Sequence, residues 1–154
     1  MKKIITTALV TLMAGSALAA DVEITRAGSQ NTIIGSEKLF TGTSVINPVF
    51  APNEHREFSM GEVIFHPGAR SNWHTHPVGQ TLVITSGTGW TQQEGKEKQI
   101  IRAGDIVWCP PGVKHWHGAT DTTSMTHYAI QAKNEEGSVV DWMEPVTDAQ
   151  YLGE

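Results

Sequence analysis

The chain has 154 residues, 39% of them hydrophobic and 18% charged, with a formal net charge of −5. That length allows one domain with a substantial core. The acidic balance, with no stripe of Lys and Arg, argues against nucleic acid as a partner, and a single cysteine, Cys109, excludes an internal disulfide.

Residues 1–19 read as a secretory signal peptide. Lys2 and Lys3 give the basic start, an apolar stretch follows, and Ala17-Leu18-Ala19 is a small-residue cut site. The apolar stretch is too short and wrongly flanked to span a membrane. Cleavage after Ala19 is expected, which makes the mature protein exported, periplasmic and free of the membrane. It also removes two positive charges, so the mature chain is more acidic. Residues 20–40 are polar and punctuated by Ser and Gly, and are expected to form an N-terminal arm.

Residues 41–132 read as a succession of short strands. Stretches 42–47, 58–66, 71–76, 81–85, 90–93, 99–102, 105–109 and 125–132 are rich in Val, Ile, Thr and aromatics. Gly87-Thr88-Gly89, Glu94-Gly95-Lys96 and Ala103-Gly104-Asp105 are the expected turns between them. Many strands at this spacing, with no long amphipathic helix, indicate an all-β sandwich or closed barrel. In the tail, 146–154, Thr147 is placed to start a short helix. Cys109 sits in the apolar run Ile106-Val107-Trp108-Cys109 with no basic neighbour, so a buried strand thiol is expected. Trp73, Trp90, Trp108 and Trp116 are expected in packing or pocket walls. Arg70 is expected as a solvent or interface charge, and His55 and His66 as surface or structural groups.

Two segments carry chemistry, PGARSNWHTHPVGQTLVITSG (67–87) and GDIVWCPPGVKHWHG (104–118). Side chains alternate faces along a strand, so His74 and His76 point the same way, and Gln80 shares their parity. His115, from a distant strand, would complete a metal-ligand set with open positions for water or substrate. His117 has the parity of His115 and should also point inward. His127 lies in Ser124-Met125-Thr126-His127-Tyr128, on the same strand face as Met125, Ala129 and Gln131. Either imidazole could be a proton acceptor, a positioning group for a ligand, or a hydrogen-bonded core residue. Ser71 and Gln131 are candidate substrate contacts. Ligand type alone favours Zn, Fe, Ni or Cu.

The residues also carry a family resemblance. Gly68, His74, His76, position 80 and Gly87 follow the cupin pattern G-x5-H-x-H-x3-E-x6-G; Gly104, Pro110, Gly112 and His115 follow G-x5-P-x-G-x2-H-x3-N. The chain departs from the pattern at Gln80, where Glu is usual, and at Ala119, where Asn is often found. The runs WHTHPVGQTLVITSGTGW, DIVWCPPGVKHWHGA, SMTHYAIQ and DWMEPVTDAQY resemble one cupin subgroup, the bacterial manganese-dependent hydroxynitrile lyases. The resemblance implies a single-domain cupin barrel, a double-stranded β-helix or jelly roll, over 41–145. It implies Mn(II) on His74, His76, Gln80 and His115, with Fe(II), Zn(II) or Ni(II) as other occupants. It favours His127 as the base, with His117 beside it, and a small-molecule substrate in a homo-oligomer. Three imidazoles with open metal positions also suit a dioxygenase, or a cupin that binds a metal or small molecule without turnover.

Overall fold

The computed structural model describes residues 21–154; the expected signal peptide, 1–19, lies outside the described residues. Twelve strands and one short helix follow in chain order. They are β1 (Ile33–Ile34), β2 (Phe40–Thr41), β3 (Ser44–Phe50), β4 (Phe58–Phe65), β5 (Arg70–Ser71), β6 (His74–Thr75), β7 (Gln80–Gln93), β8 (Gln99–Arg102), β9 (Ile106–Cys109), β10 (His115–Ala119), β11 (Met125–Ala132), β12 (Asp141–Trp142) and α1 (Asp148–Leu152). All strand pairings are antiparallel, and the strands form one curled sheet, the all-β barrel architecture expected from the sequence.

The long strand β7 makes the curl. Its first half pairs with β11 and β9, and its second half with β8 and β10. Two separate strands around a Gly87-Thr88-Gly89 turn were expected there; the chain instead runs through as one strand. Gly87 has φ of +75°, and a Cβ on it would collide with the Ser124 carbonyl oxygen. A Cβ on Gly89 would strike the Met125 sulfur and the Gly118 carbonyl. The glycines let the strand bend from one wall to the other where neighbouring backbone passes closest. The turns at Gly95 and Gly104 are present, with Lys96 N–H donating to Gln93 O at 3.0 Å and Asp105 N–H to Arg102 O at 2.9 Å.

Period-two alternation fills the interior. Val63 and Phe65 of β4, Leu82 and Ile84 of β7, and Met125 of β11 form the main core. The expected strand 71–76 is broken into β5 and β6 at Asn72 and Trp73: Asn72 N–H donates to Leu39 O, its amide nitrogen to Lys38 O and Met143 O, and Trp73 N–H to Glu144 O. Residues 20–40 contribute β1, paired with β3, and the start of β2, paired with β5.

Two side chains sit where the sequence did not place them. Arg70 is 4% exposed rather than a surface charge. Its Nη2 donates to Val146 O at 2.9 Å and to Asp148 Oδ1 at 2.6 Å, and its guanidinium lies 4.4 Å from the Tyr151 ring centroid. The arginine therefore fastens α1, which Thr147 and Gln150 close with a reciprocal capping box. Val146 and Tyr151 pack with Trp73 and Trp116 in a second core. Trp108 is 57% exposed, because Val107 and Cys109 take the inward parity of β9, and it walls a surface cleft rather than the central cavity.

Candidate metal centre and the cavity beside it

Five imidazoles meet inside the barrel. β6 and β10 are paired with His74 opposite His115, and Gly118 of β10 pairs with Arg70 of β5. Ring centroids are 4.4 Å apart for His74 and His115, 5.0 Å for His74 and His76, and 5.5 Å for His76 and His115. His117 lies 5.2 Å from His74 and 4.9 Å from His127.

Three of these rings are held by backbone carbonyls at the same atom. His74 Nδ1 meets Asn72 O at 2.9 Å, His76 Nδ1 meets Val139 O at 2.7 Å, and His115 Nδ1 meets Val113 O at 2.9 Å. A carbonyl only accepts, so each Nδ1 carries the proton and each Nε2 keeps its lone pair for the interior. His76 Nε2, His115 Nε2 and Gln80 Oε1 are buried and find no hydrogen-bond partner among the described residues. The Gln80 amide nitrogen donates to Gln131 Oε1 at 2.9 Å, which turns the Gln80 oxygen toward the imidazoles. Unpaired buried acceptors are costly, and a cation is the partner that satisfies several at once.

The imidazoles are also in the protonation state that ligation requires. Burial pushes His76 down to about 4 and is the largest influence on it. Burial, and then the neighbouring His115, holds His74 well below the ordinary histidine value; burial also lowers His115. Candidate ligand atoms of His74, His115 and His117 lie within 4.8 Å of one another, so three imidazoles here can hold a metal ion. His117 differs from the carbonyl-locked rings in that its Nδ1 has no partner among the described residues.

A cavity of about 180 Å³ opens on this cluster, walled by Phe40, Val63, Phe65, Val140 and Trp142, with His117, His127 and Gln131 on its polar side. His127 is fully buried, and neither ring nitrogen has a partner among the described residues. Burial lowers it to about 4, so it is neutral with a free lone pair at neutral pH. Ser71, expected to touch substrate, is not on the cavity wall. Its hydroxyl accepts the His117 backbone N–H at 3.2 Å and lies 3.5 Å from His74 Nδ1, behind the cluster. Cys109 is buried, and burial pushes its thiol up to about 12.

Motif spacing missed Phe40, Val140, Trp142 and the Val139 carbonyl, because none belongs to a histidine motif. Trp142 had one signal, its place in the run DWMEPVTDAQY.

Residues 61–130 match the family described as a cupin domain. A protein of Granulicella tundricola named (R)-mandelonitrile lyase is 52% identical over 130 residues, spanning 84% of this chain and 98% of that protein. The crystal structure of a cupin-like protein from Thermotoga maritima is similar at a TM-score of 0.72 and 34% identity, covering 86% of this chain and 96% of that one. A cupin family protein from Methanocaldococcus jannaschii with a double-stranded β-helix fold aligns at a TM-score of 0.53 and 14% identity, over 75% of this chain and 92% of that one; this likeness concerns the fold alone.

Proposed function

The chain belongs to the cupin family, and from that premise we propose that it is an exported, metal-dependent hydroxynitrile lyase, cleaving or forming cyanohydrins from an aldehyde and hydrogen cyanide. One observation carries the reading: a buried, neutral donor set shares a small aromatic-walled cavity with a second pair of imidazoles, His127 unpartnered at both ring nitrogens and His117 at Nδ1. The relative named (R)-mandelonitrile lyase, alike over most of both chains, supports the same reaction.

We assign His74, His76, Gln80 and His115 as the ligands, because the three histidines have Nδ1 locked and Gln80 is turned by Gln131. His117, which distance alone groups with His74 and His115, has no carbonyl on its Nδ1 and is left to the substrate side. Mn(II) is the proposed ion, on the subgroup resemblance. Held by four neutral ligands, a divalent ion would supply Lewis-acid stabilisation of negative charge on the substrate oxygen. The protein does the rest. His127 accepts the hydroxyl proton of the cyanohydrin at a free ring nitrogen, the carbon–cyanide bond breaks with its electron pair leaving on cyanide, and the carbonyl forms. The proton on His127 then passes to cyanide, so aldehyde and hydrogen cyanide leave and the imidazole is neutral again. His117, beside His127, holds its ring in place and lines the path.

The test is anaerobic cleavage of racemic mandelonitrile by protein recovered from the periplasm, where a mass beginning at Ala20 would check export. The Mn(II)-loaded form should release benzaldehyde and cyanide above the spontaneous rate, and the metal-free form should not. No release from protein of confirmed metal content would reject the lyase reading and favour oxygen-dependent chemistry on the same ligands.

A further inference from the structure

The segment after β11 crosses the open side of the cavity and is fastened to the strand that carries His74. Asp141 and Trp142 of β12 pair with Thr75 and His74 of β6. Met143 N–H donates to Trp73 O at 2.9 Å, Asn72 Nδ2 donates to Met143 O at 3.2 Å, and Trp73 N–H donates to Glu144 O at 3.0 Å. Trp142 is therefore held on both sides by backbone bonds, although it is 36% exposed. Its ring meets Phe40 edge-on at 5.4 Å; Phe40 lies 6.0 Å from Phe65, and Phe65 lies 5.8 Å from both His117 and His127. An unbroken aromatic row thus runs from solvent to the paired imidazoles, with Trp142 as its outer end.

We infer that Trp142 sets the largest substituent that the substrate can carry on its reacting carbon. With that carbon beside His127, the substituent must extend along the Phe65–Phe40 wall toward Trp142. A cavity of about 150 Å³ is enough for benzene, so this one, at about 180 Å³, takes a single ring and its attached carbon and little more. A second fused ring would have to occupy the place of the indole. Because backbone pairing on both sides fixes the Trp142 Cα, and the ring packs 5.4 Å from Phe40 and 5.0 Å from His74, the limit is a wall rather than a lid. Val140, on the same segment and in the same wall, narrows the cavity from the side.

The inference rests on the lyase reading for the identity of the reacting carbon, and it is tested by binding, independently of turnover. Benzyl alcohol and 2-naphthylmethanol are unreactive probes that differ by one fused ring. Their dissociation constants are measured by equilibrium dialysis against metal-loaded wild type, Trp142→Ala, Trp142→Phe and Val140→Phe, with metal content recorded for each. Trp142→Ala should raise the affinity of the naphthyl probe relative to the benzyl probe by about tenfold or more, the scale on which pocket volume discriminates. Trp142→Phe, which keeps an aromatic against His74 and Phe40, should move the ratio the same way by less. Val140→Phe should weaken both probes. An unchanged ratio in Trp142→Ala with metal retained overturns the inference. If that variant loses its metal, an unchanged ratio in Trp142→Phe together with unweakened benzyl alcohol in Val140→Phe overturns it. Mandelonitrile turnover by the wild type is scored separately: its absence rejects the lyase and leaves the binding ratio to decide the wall.

Discussion

At the scale of single residues, the site is built from what each polar atom is denied. His74, His76 and His115 spend their Nδ1 protons on carbonyls, so Nε2 can only accept. Gln80 spends its amide N–H on Gln131, so its oxygen is free. His127 has neither nitrogen engaged. That contrast separates ligand from base, and it gives a prediction. His127→Ala should lower the rate of cyanohydrin cleavage by roughly a hundred- to ten-thousandfold, the usual worth of a positioned base, while metal content stays at the wild-type level by elemental analysis. Undiminished turnover in that variant would remove His127 from the mechanism. Parity along the strands already brought these side chains to one interior; only the partners of each ring atom distinguish their tasks.

At the scale of elements, the notable piece is α1. Five residues are too few to hold a helix by propensity alone, so its place depends on anchors outside it: Tyr151, whose hydroxyl donates to Ala119 O at 2.9 Å, and Arg70. The guanidinium bonds both the Val146 carbonyl and the Asp148 carboxylate, but the Asp148 side chain is 85% exposed and that ion pair is largely screened. The buried carbonyl should dominate. Arg70→Met is expected to cost about 1.5–3 kcal/mol in urea unfolding, as for a charged hydrogen bond, and Asp148→Asn under about 1 kcal/mol. Hydrogen exchange should show the loss of protection in Arg70→Met concentrated at α1. Equal costs for the two variants would contradict this division. The helix start was legible in Thr147 and its neighbours; its anchor was not, since Arg70 lies 78 residues from Asp148.

At the scale of the whole molecule, one wall of the barrel carries a mixed outer face with an exposed apolar corner at Ile106 and Trp108. Met60, Ile130, Thr81 and Trp108 fall in one row across β4, β11, β7 and β9, and Glu62, Tyr128, Val83 and Ile106 in the next. Ile106 is 70% exposed and Trp108 57%. Four strands about 4.8 Å apart make such a face roughly 15–20 Å wide, and a standard interface takes roughly 800 Å² from each partner. A sheet face of the same chain is a matching partner, since two-fold association places identical patches together. We propose that the protein associates with a second copy through this face. Sedimentation should show the double variant Ile106→Ser, Trp108→Ser shifted toward monomer with its circular dichroism intact; a wild type that is monomeric at the same concentration would refute the interface.

What the sequence determined by itself was local and periodic. Alternation along 58–66 and 125–132 set which side chains face inward, glycines marked where the chain must bend, and the two histidine motifs named the imidazoles that meet. Packing between distant parts of the chain fixed the remainder. It turned Gly87-Thr88-Gly89 from a turn into a bend within one strand, because Ser124 and Met125 pass beside those glycines and leave no room for a Cβ. It moved Ser71 behind the cluster and buried Arg70 under the C-terminal helix. It also brought the Val139 carbonyl and Trp142 from the far end of the chain to the imidazoles. Spacing reports the period of one strand, whereas the partner of a ring nitrogen or the wall of a cavity is fixed by which strands lie side by side.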